Sequence, residues 1–446
     1  MPLPRRTELA AMSRLAFPIV LAQVGLMLMG VVDTLMVGRV SSTALAAVAL
    51  GNLFFVTVVV PASGTLMVLD PVVAQAIGAR DDDGVALGIQ RGFVLAGMLG
   101  VVFAAMMLPV RQLFVLFHQP AELVPVATSY VLVSIPGVIP FLVFVVLRQS
   151  LQAFGKTRAL IGVIVVSNLL NALLNWVFVY GHLGSPAMGA TGSAWATLIS
   201  RWMMLVPLLA FGWPVLRSSL TPWRRESFAR APLVQMLRMG LPIGFMQLLE
   251  FSAFSAIGLL MGMLGTVEMA AHQIAINLAS LTFMVPLGVG AAAAVRVGHA
   301  AGAGDTEGAR ESARAALVCG AGFMVCTAIL LVLLPRAIAG WYTTDVPVVA
   351  LAAVLIPIAG VFQVFDGIQA VCAGVLRGLG DTRVPFLINL CGFWLAGMPV
   401  SIYLGFRTSL GAAGLWWGFV AGLLAVATML LVRTRGRLRL GVGRTA

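Results

Sequence analysis

Twelve apolar runs, each about as long as a bilayer is thick, follow one another along this chain of 446 residues. A helix needs about 20 apolar residues to cross hydrocarbon, whereas a barrel strand needs only about 9–11. Inside lipid every backbone N–H and C=O must be satisfied by protein, which leaves helices and closed barrels as the only spanning structures. Runs of this length therefore predict an all-α membrane protein with twelve transmembrane helices, the first near 15–37, the second near 46–74 and the last two near 384–405 and 411–432. The longest polar link, about 212–238, divides the chain into six helices plus six. The expected parts are an N-terminal bundle over 1–211, a cytoplasmic linker over 212–238, a C-terminal bundle over 239–432 and a basic tail over 433–446.

Only 10% of the residues are charged and 60% are hydrophobic, whereas soluble domains are nearer a quarter charged. Little chain remains for a soluble catalytic domain. The net charge of +12 does not point to nucleic acid, because the basic residues are dispersed and no basic face is interleaved with aromatics. Membrane topology accounts for them instead. With the N-terminus inside, the outer segments hold only Arg39, Arg111, Arg336 and Arg407 of the 28 Lys and Arg, so both termini are expected in the cytoplasm. The run at 15–37 exceeds the apolar core of a signal peptide, about 7–15 residues, and reads as a retained first helix. Cys319, Cys326, Cys372 and Cys391 lie in apolar runs without metal or disulfide spacing, as packing residues. Neither a phosphate-binding Gly-x-x-x-x-Gly-Lys-Ser/Thr loop nor a His-Glu-x-x-His helix occurs. An enzyme and a resident cofactor are thus not expected, and any work would draw on an ion gradient.

The two halves repeat. Pro18 matches Pro242, and Leu45-Ala46-Ala47 matches Met269-Ala270-Ala271. Gly78-Ala79-Arg80-Asp81 matches Gly302-Ala303-Gly304-Asp305, and Phe154-Gly155-Lys156-Thr157-Arg158 matches Leu379-Gly380-Asp381-Thr382-Arg383. Gly189-Ala190-Thr191-Gly192 matches Gly411-Ala412-Ala413-Gly414, each followed by a Trp. Six helices per half put both copies in the membrane with the same orientation, as parallel repeats with a site expected near mid-depth.

Asp33, Asp70, Glu250 and Asp366 lie inside spanning runs. A charge near the bilayer centre costs at least about 2.5–3.5 kcal/mol, and chains that keep such acids use them on ion, proton or substrate paths. Glu250 stands midway along the seventh helix with Gln247 one turn before it, and Ser252 and Ser255 nearby. Asp366 in the tenth helix is flanked in the same way by Gln363 and Gln369. For Asp33 two readings stand: a functional acid, or one that snorkels outward or pairs with Arg39. Asp70 precedes Pro71, and the favoured reading is support of a proline kink. Asn168, Asn171 and Asn175 form one stripe on the fifth helix, either for interhelical hydrogen bonds or to line a wet cavity. His272 is expected as a helix-end hydrogen bonder.

Several segments resemble the multidrug and toxic compound extrusion (MATE) family. They are Val32-Asp33-Thr34-Leu35-Met36-Val37-Gly38, Ala74-Gln75-Ala76-Ile77-Gly78-Ala79, Gln152-Ala153-Phe154-Gly155-Lys156-Thr157-Arg158 and Arg377-Gly378-Leu379-Gly380-Asp381-Thr382-Arg383. The likeness runs along the whole chain, and Glu250 with Asp366 resembles the NorM-type branch. It implies a V-shaped pair of six-helix bundles around a central cavity, in a monomer of the bacterial inner membrane with lipid around it. It also implies export of amphipathic organic cations in exchange for H⁺ or Na⁺. Glu250, Asp366 and Asp33 would be the acids linked to cation coupling. Glu250 and Asp366 would be the metal ligands if Na⁺ is the ion. Asn168, Asn171, Asn175, Gln247, Gln363 and Gln369 would line the cavity. Two positions depart from the family pattern: Asp70 is an additional acid, and Phe362 and Phe365 stand where a Tyr is usual, which favours H⁺. A lipid-linked sugar flippase of the same superfamily would want a cationic cavity, yet Arg201 is the sole basic residue well inside a helix. A channel or a non-transporting scaffold is a rival of another kind, but a two-fold internal repeat suits alternating access better than a ring-forming pore.

Overall fold

The computed structural model describes residues 4–444, and among these there is helix and no strand. Twelve helices are long and apolar enough to cross a membrane. They are α1 (Arg6–Gly38), α2 (Ser42–Gly78), α3 (Asp82–Met107), α4 (Val124–Ala153), α5 (Arg158–Tyr180), α6 (Gly189–Leu220), α7 (Arg230–Leu264), α8 (Thr266–Gly302), α9 (Thr306–Leu333), α10 (Val346–Gly378), α11 (Arg383–Phe406) and α12 (Gly411–Arg439).

Most of these helices run on past the apolar runs that announce them. α7 starts at Arg230, well inside the polar link between the halves, and α12 carries its helix through Arg433, Arg435, Arg437 and Arg439. Hydrophobicity marks only the part of a helix that meets lipid, while the hydrogen-bond ladder continues until a cap or a breaker ends it. Three spans are interrupted. The α-helical turns of α2 break at Met67 and Val68, just ahead of Asp70 and Pro71. A 3-10 turn at Ile135–Gly137, which holds Pro136, divides α4. In α11 a π-helical stretch covers Leu390–Gly397, a form that recurs at functional sites.

The internal repeat appears in the turns. Asp81 and Asp305 both cap a helix by accepting from the amide two residues into it, Gly84 and Gly308, each at 2.8 Å. The chain turns into α5 and α11 through Gly155 at φ 67° and Gly380 at φ 73°, and into α6 and α12 through Gly189 at φ 53° and Gly411 at φ 52°. A left-handed backbone is open to Gly without strain, which is why these four positions match between the halves.

By contacts the chain forms two compact units. One comprises 4–20, 70–80 and 245–444, the other Leu21–Leu69 and Asp81–Gly244. In the first unit α8 packs along α10 through small residues: a Cβ on Gly378 would stand 2.5 Å from the Ala294 carbonyl, and Gly374 meets Gly290 backbone to backbone. Such close approach is how helices associate in lipid, where apolar burial alone gives no preference for protein over lipid. A second layer is aromatic, with Phe362 against Phe419 at 5.3 Å, Phe362 against Trp416 at 5.8 Å and Phe254 edge-on to Phe419 at 4.9 Å. In the other unit α5 packs on α6, and α4 on α2, α3 and α6.

Candidate functional site

Each unit encloses its own polar cluster. In the first, α7 presents Glu250 to α10. Gln369 on α10 donates through Nε2 to the Glu250 carboxylate at 3.4 Å and to Asn389 Oδ1 on α11 at 3.1 Å. Asn389 in turn donates to the Pro385 carbonyl at 2.9 Å. Immediately after Asn389 the π-helical stretch of α11 begins, and its Trp394 donates to the Leu249 carbonyl at 3.2 Å. Asp366 lies one turn before Gln369 on α10 and is 3% exposed. Its Oδ1 has no hydrogen-bond partner among the described residues, and the charge that acts on it is that of Glu250. No Lys or Arg forms an ion pair with either acid among the described residues. No third carboxylate, His or Cys completes a metal-type cluster there among the described residues. Gln369 Oε1 is buried and without a partner.

Gln363 and Gln247 take other places. Gln363 is fully buried, accepts from Thr327 on α9 at 3.3 Å, and leaves its Nε2 without a partner. Gln247 stands half-buried one turn before Glu250. Phe362, also one turn from Asp366, is fully enclosed by Phe254, Trp416 and Phe419. His272 packs on Trp416 at 5.7 Å and its Nδ1 is buried without a partner. It is thus a core histidine and not a residue that hydrogen-bonds at a helix end.

The second cluster surrounds Asp33. Its two carboxylate oxygens accept from Asn175 Nδ2 at 2.6 Å and Thr197 Oγ1 at 2.7 Å. Asn171 donates to Thr197 at 3.4 Å and its Oδ1 accepts from Asn175 at 3.2 Å. Asp33 is 6% exposed. It neither snorkels nor pairs with Arg39, because an α5 amide and an α6 hydroxyl draw it inward. Arg201, one turn beyond Thr197 on α6, is within electrostatic reach of Asp33. Its guanidinium covers the Phe55 ring at 4.1 Å, and one of its terminal nitrogens is buried without a partner. Asn168, the third member of the stripe, is turned to packing: it donates to the Gly25 and Ile164 carbonyls, each at 2.9 Å.

Asp70 differs from the other three acids. It is completely buried and accepts from Arg377 Nε at 2.8 Å. Gln75, one turn on, donates to the Gly378 carbonyl at 2.9 Å. The reading that gave Asp70 to a proline kink is corrected in part: the helix does break beside it, but the carboxylate is spent on the Arg377 ion pair. Arg377 looks like one more cytoplasmic arginine in the sequence, and nothing there pairs it with a residue 307 positions away. Thr197, Thr327 and Asn389 were also missed. Asn389 carried a signal, as the sole side-chain amide inside the apolar run of α11, whereas a lone Thr in a membrane helix carries none.

Twelve spanning helices that carry acids within their length define a polytopic helical membrane protein. Residues 18–177 and 242–403 match the MatE family model, and the chain belongs to that family. Multidrug resistance protein NorM of Burkholderia vietnamiensis is 38% identical over 431 residues, covering 94% of this chain and 92% of that protein. Multidrug resistance protein MdtK of Edwardsiella ictaluri (strain 93-146) is 34% identical over 435 residues, covering 96% and 95%. The fold is shared with the crystal structure of the eukaryotic MATE transporter AtDTX14, at a TM-score of 0.87 and 22% identity over 97% of this chain and 99% of that one.

Proposed function

We propose that this protein is a secondary antiporter of the bacterial inner membrane that exports amphipathic organic cations; relatives named multidrug resistance proteins support an export role. The observation that carries the reading is the state of the acids in the first unit. Asp70 has its cation built in, whereas Glu250 and Asp366, within electrostatic reach of each other, have none among the described residues. A buried and a half-buried carboxylate without a fixed counter-charge call for a mobile one. A coupling ion and a cationic substrate would each satisfy them, and occupation by one disfavours the other, which is the competition that exchange requires. The coupling ion in this reading is H⁺, since a proton needs only one carboxylate oxygen. A second reading, Na⁺, is favoured by Gln369 Oε1, a buried oxygen with no donor to serve. Asp33 belongs to the coupling set because its hydrogen bonds hold it inside the other unit.

The test is ethidium transport by Glu250→Gln and Asp366→Asn, read as uptake into inverted membrane vesicles. Each keeps size and hydrogen-bonding capacity and removes the charge. We expect coupled export to fall to background in both while the amount of folded protein is unchanged. Transport at the wild-type rate in both variants would discard the assignment.

A further inference from the structure

At one end of the spans, α9 and α12 leave between them a groove of about 550 Å³. Four arginines line it: Arg310 and Arg314, one turn apart on α9, and Arg435 and Arg439, one turn apart on α12. One turn deeper along each helix the lining changes to leucine, Leu317 on α9 and Leu431 on α12. The two helices run in opposite directions through the groove, yet the order from its charged end to its apolar end is the same on both. That gradient is the gradient of a phospholipid, an anionic headgroup followed by hydrocarbon.

Charge balance sharpens the point. Arg314 is engaged by Glu311 at 3.1 Å and Glu307 at 3.6 Å, and Arg310 by Glu307 at 3.4 Å. Arg310 also donates to the Leu438 carbonyl at 3.0 Å, which ties α9 to α12. Arg435 and Arg439 form no ion pair with any described residue, and both are exposed. Their neighbours Arg433 and Arg437 turn the other way, to Asp381. The groove thus holds two uncommitted guanidinium groups in a frame set by two committed ones, and guanidinium is well suited to phosphate. Its volume lies within the range of small-molecule sites.

We propose that this groove binds the headgroup of an anionic phospholipid from the adjoining leaflet, with the start of an acyl chain along Leu317 and Leu431. Inorganic phosphate offers the same charge, but it has no use for an apolar floor, so the leucines decide for lipid. Basic pockets between membrane helices recognise lipid headgroups in this way. The inference stands on the groove alone and survives or fails independently of the transport reading.

Native mass spectrometry of the full-length protein would test it. Detergent-solubilised protein is mixed with phosphatidylglycerol, phosphatidylcholine or inorganic phosphate at equal concentrations. Wild type should retain phosphatidylglycerol well above phosphatidylcholine, and free phosphate should not displace it. The double variant R435Q/R439Q should bind phosphatidylglycerol about 30-fold more weakly. Equal retention of the two lipids by wild type, or undiminished binding by the variant, would overturn the proposal. Displacement by free phosphate would show an inorganic-anion site and overturn it equally. Should the variant fail to fold, a photoactivatable phosphatidylglycerol on wild-type protein decides: its crosslinks should map to 310–317 and 431–439, and crosslinks confined to other helices would refute the site.

Discussion

The four intramembrane acids separate by what neutralises them. Asp70 has Arg377, Asp33 has two neutral donors, Glu250 has one amide, and Asp366 Oδ1 has no partner among the described residues. Breaking a buried ion pair by removing one partner leaves the other charge stranded, at a cost of about 3–5 kcal/mol. Asp70→Asn should therefore lower the thermal midpoint of the purified protein sharply. The double variant Asp70→Leu, Arg377→Met should recover most of the loss, because replacing a whole buried pair with apolar groups is often near neutral. An Asp70→Asn protein as stable as wild type would show that the pair carries no such role. The sequence could place these acids at depth but could not distinguish them. Depth follows from position in an apolar run, whereas a counter-ion comes from another helix hundreds of residues away.

Among the elements, the small-residue seams carry the same lesson. Twelve helices could be counted from apolar runs alone, and the repeat was readable because turn glycines and capping aspartates are local. The close packing of α8 and α10 on the segment 70–80 was not readable, since a glycine in a membrane helix looks the same in sequence whether it faces lipid or a neighbouring helix. Gly302 and Gly322 make the contrast. A Cβ on Gly302 would collide with the Gln75 backbone carbonyl, whereas nothing lies within 4 Å of one on Gly322. The neighbour of Gly302 is backbone and cannot rotate away. Gly302→Ala should destabilise by about 1–3 kcal/mol as an overpacked contact. Gly322→Ala, on an exposed face of α9, should stay within about 0.5 kcal/mol of wild type. Thermal unfolding of the two variants side by side measures both, and similar midpoints would mean that the seam has room to open. The amide cluster was half legible. Gln369 is legible by its spacing from Asp366, but its link to Asn389 on α11 joins two helices, and no hydrophobic pattern announces it.

For the molecule as a whole, the remaining question is which ion does the work. Two carboxylates within electrostatic reach of each other repel, and any cation that reaches them relieves the repulsion. The two candidates ask different things of the site. Na⁺ is a hard cation and must replace its water with several oxygens, by the reasoning that gives other hard cations all-oxygen sites. Around Asp366 the structure offers the two carboxylates and Gln369 Oε1. Phe362, where a hydroxyl would have added an oxygen, is buried, stacked on Phe419 and edge-on to Trp416, and cannot be a ligand. Asn389 Oδ1 is already engaged by Gln369 Nε2. A proton needs none of these. An imposed H⁺ gradient, inward with respect to the cell, should therefore drive export of ethidium in vesicles without Na⁺, and adding a Na⁺ gradient should change the initial rate less than about twofold. Gln369→Leu, which removes the spare oxygen, should leave proton-driven export at half or more of the wild-type rate by the same reasoning. Vesicles that ignore the pH gradient and export only when Na⁺ is supplied would reverse the assignment, and loss of that Na⁺-driven export in Gln369→Leu would then identify Gln369 Oε1 as a ligand.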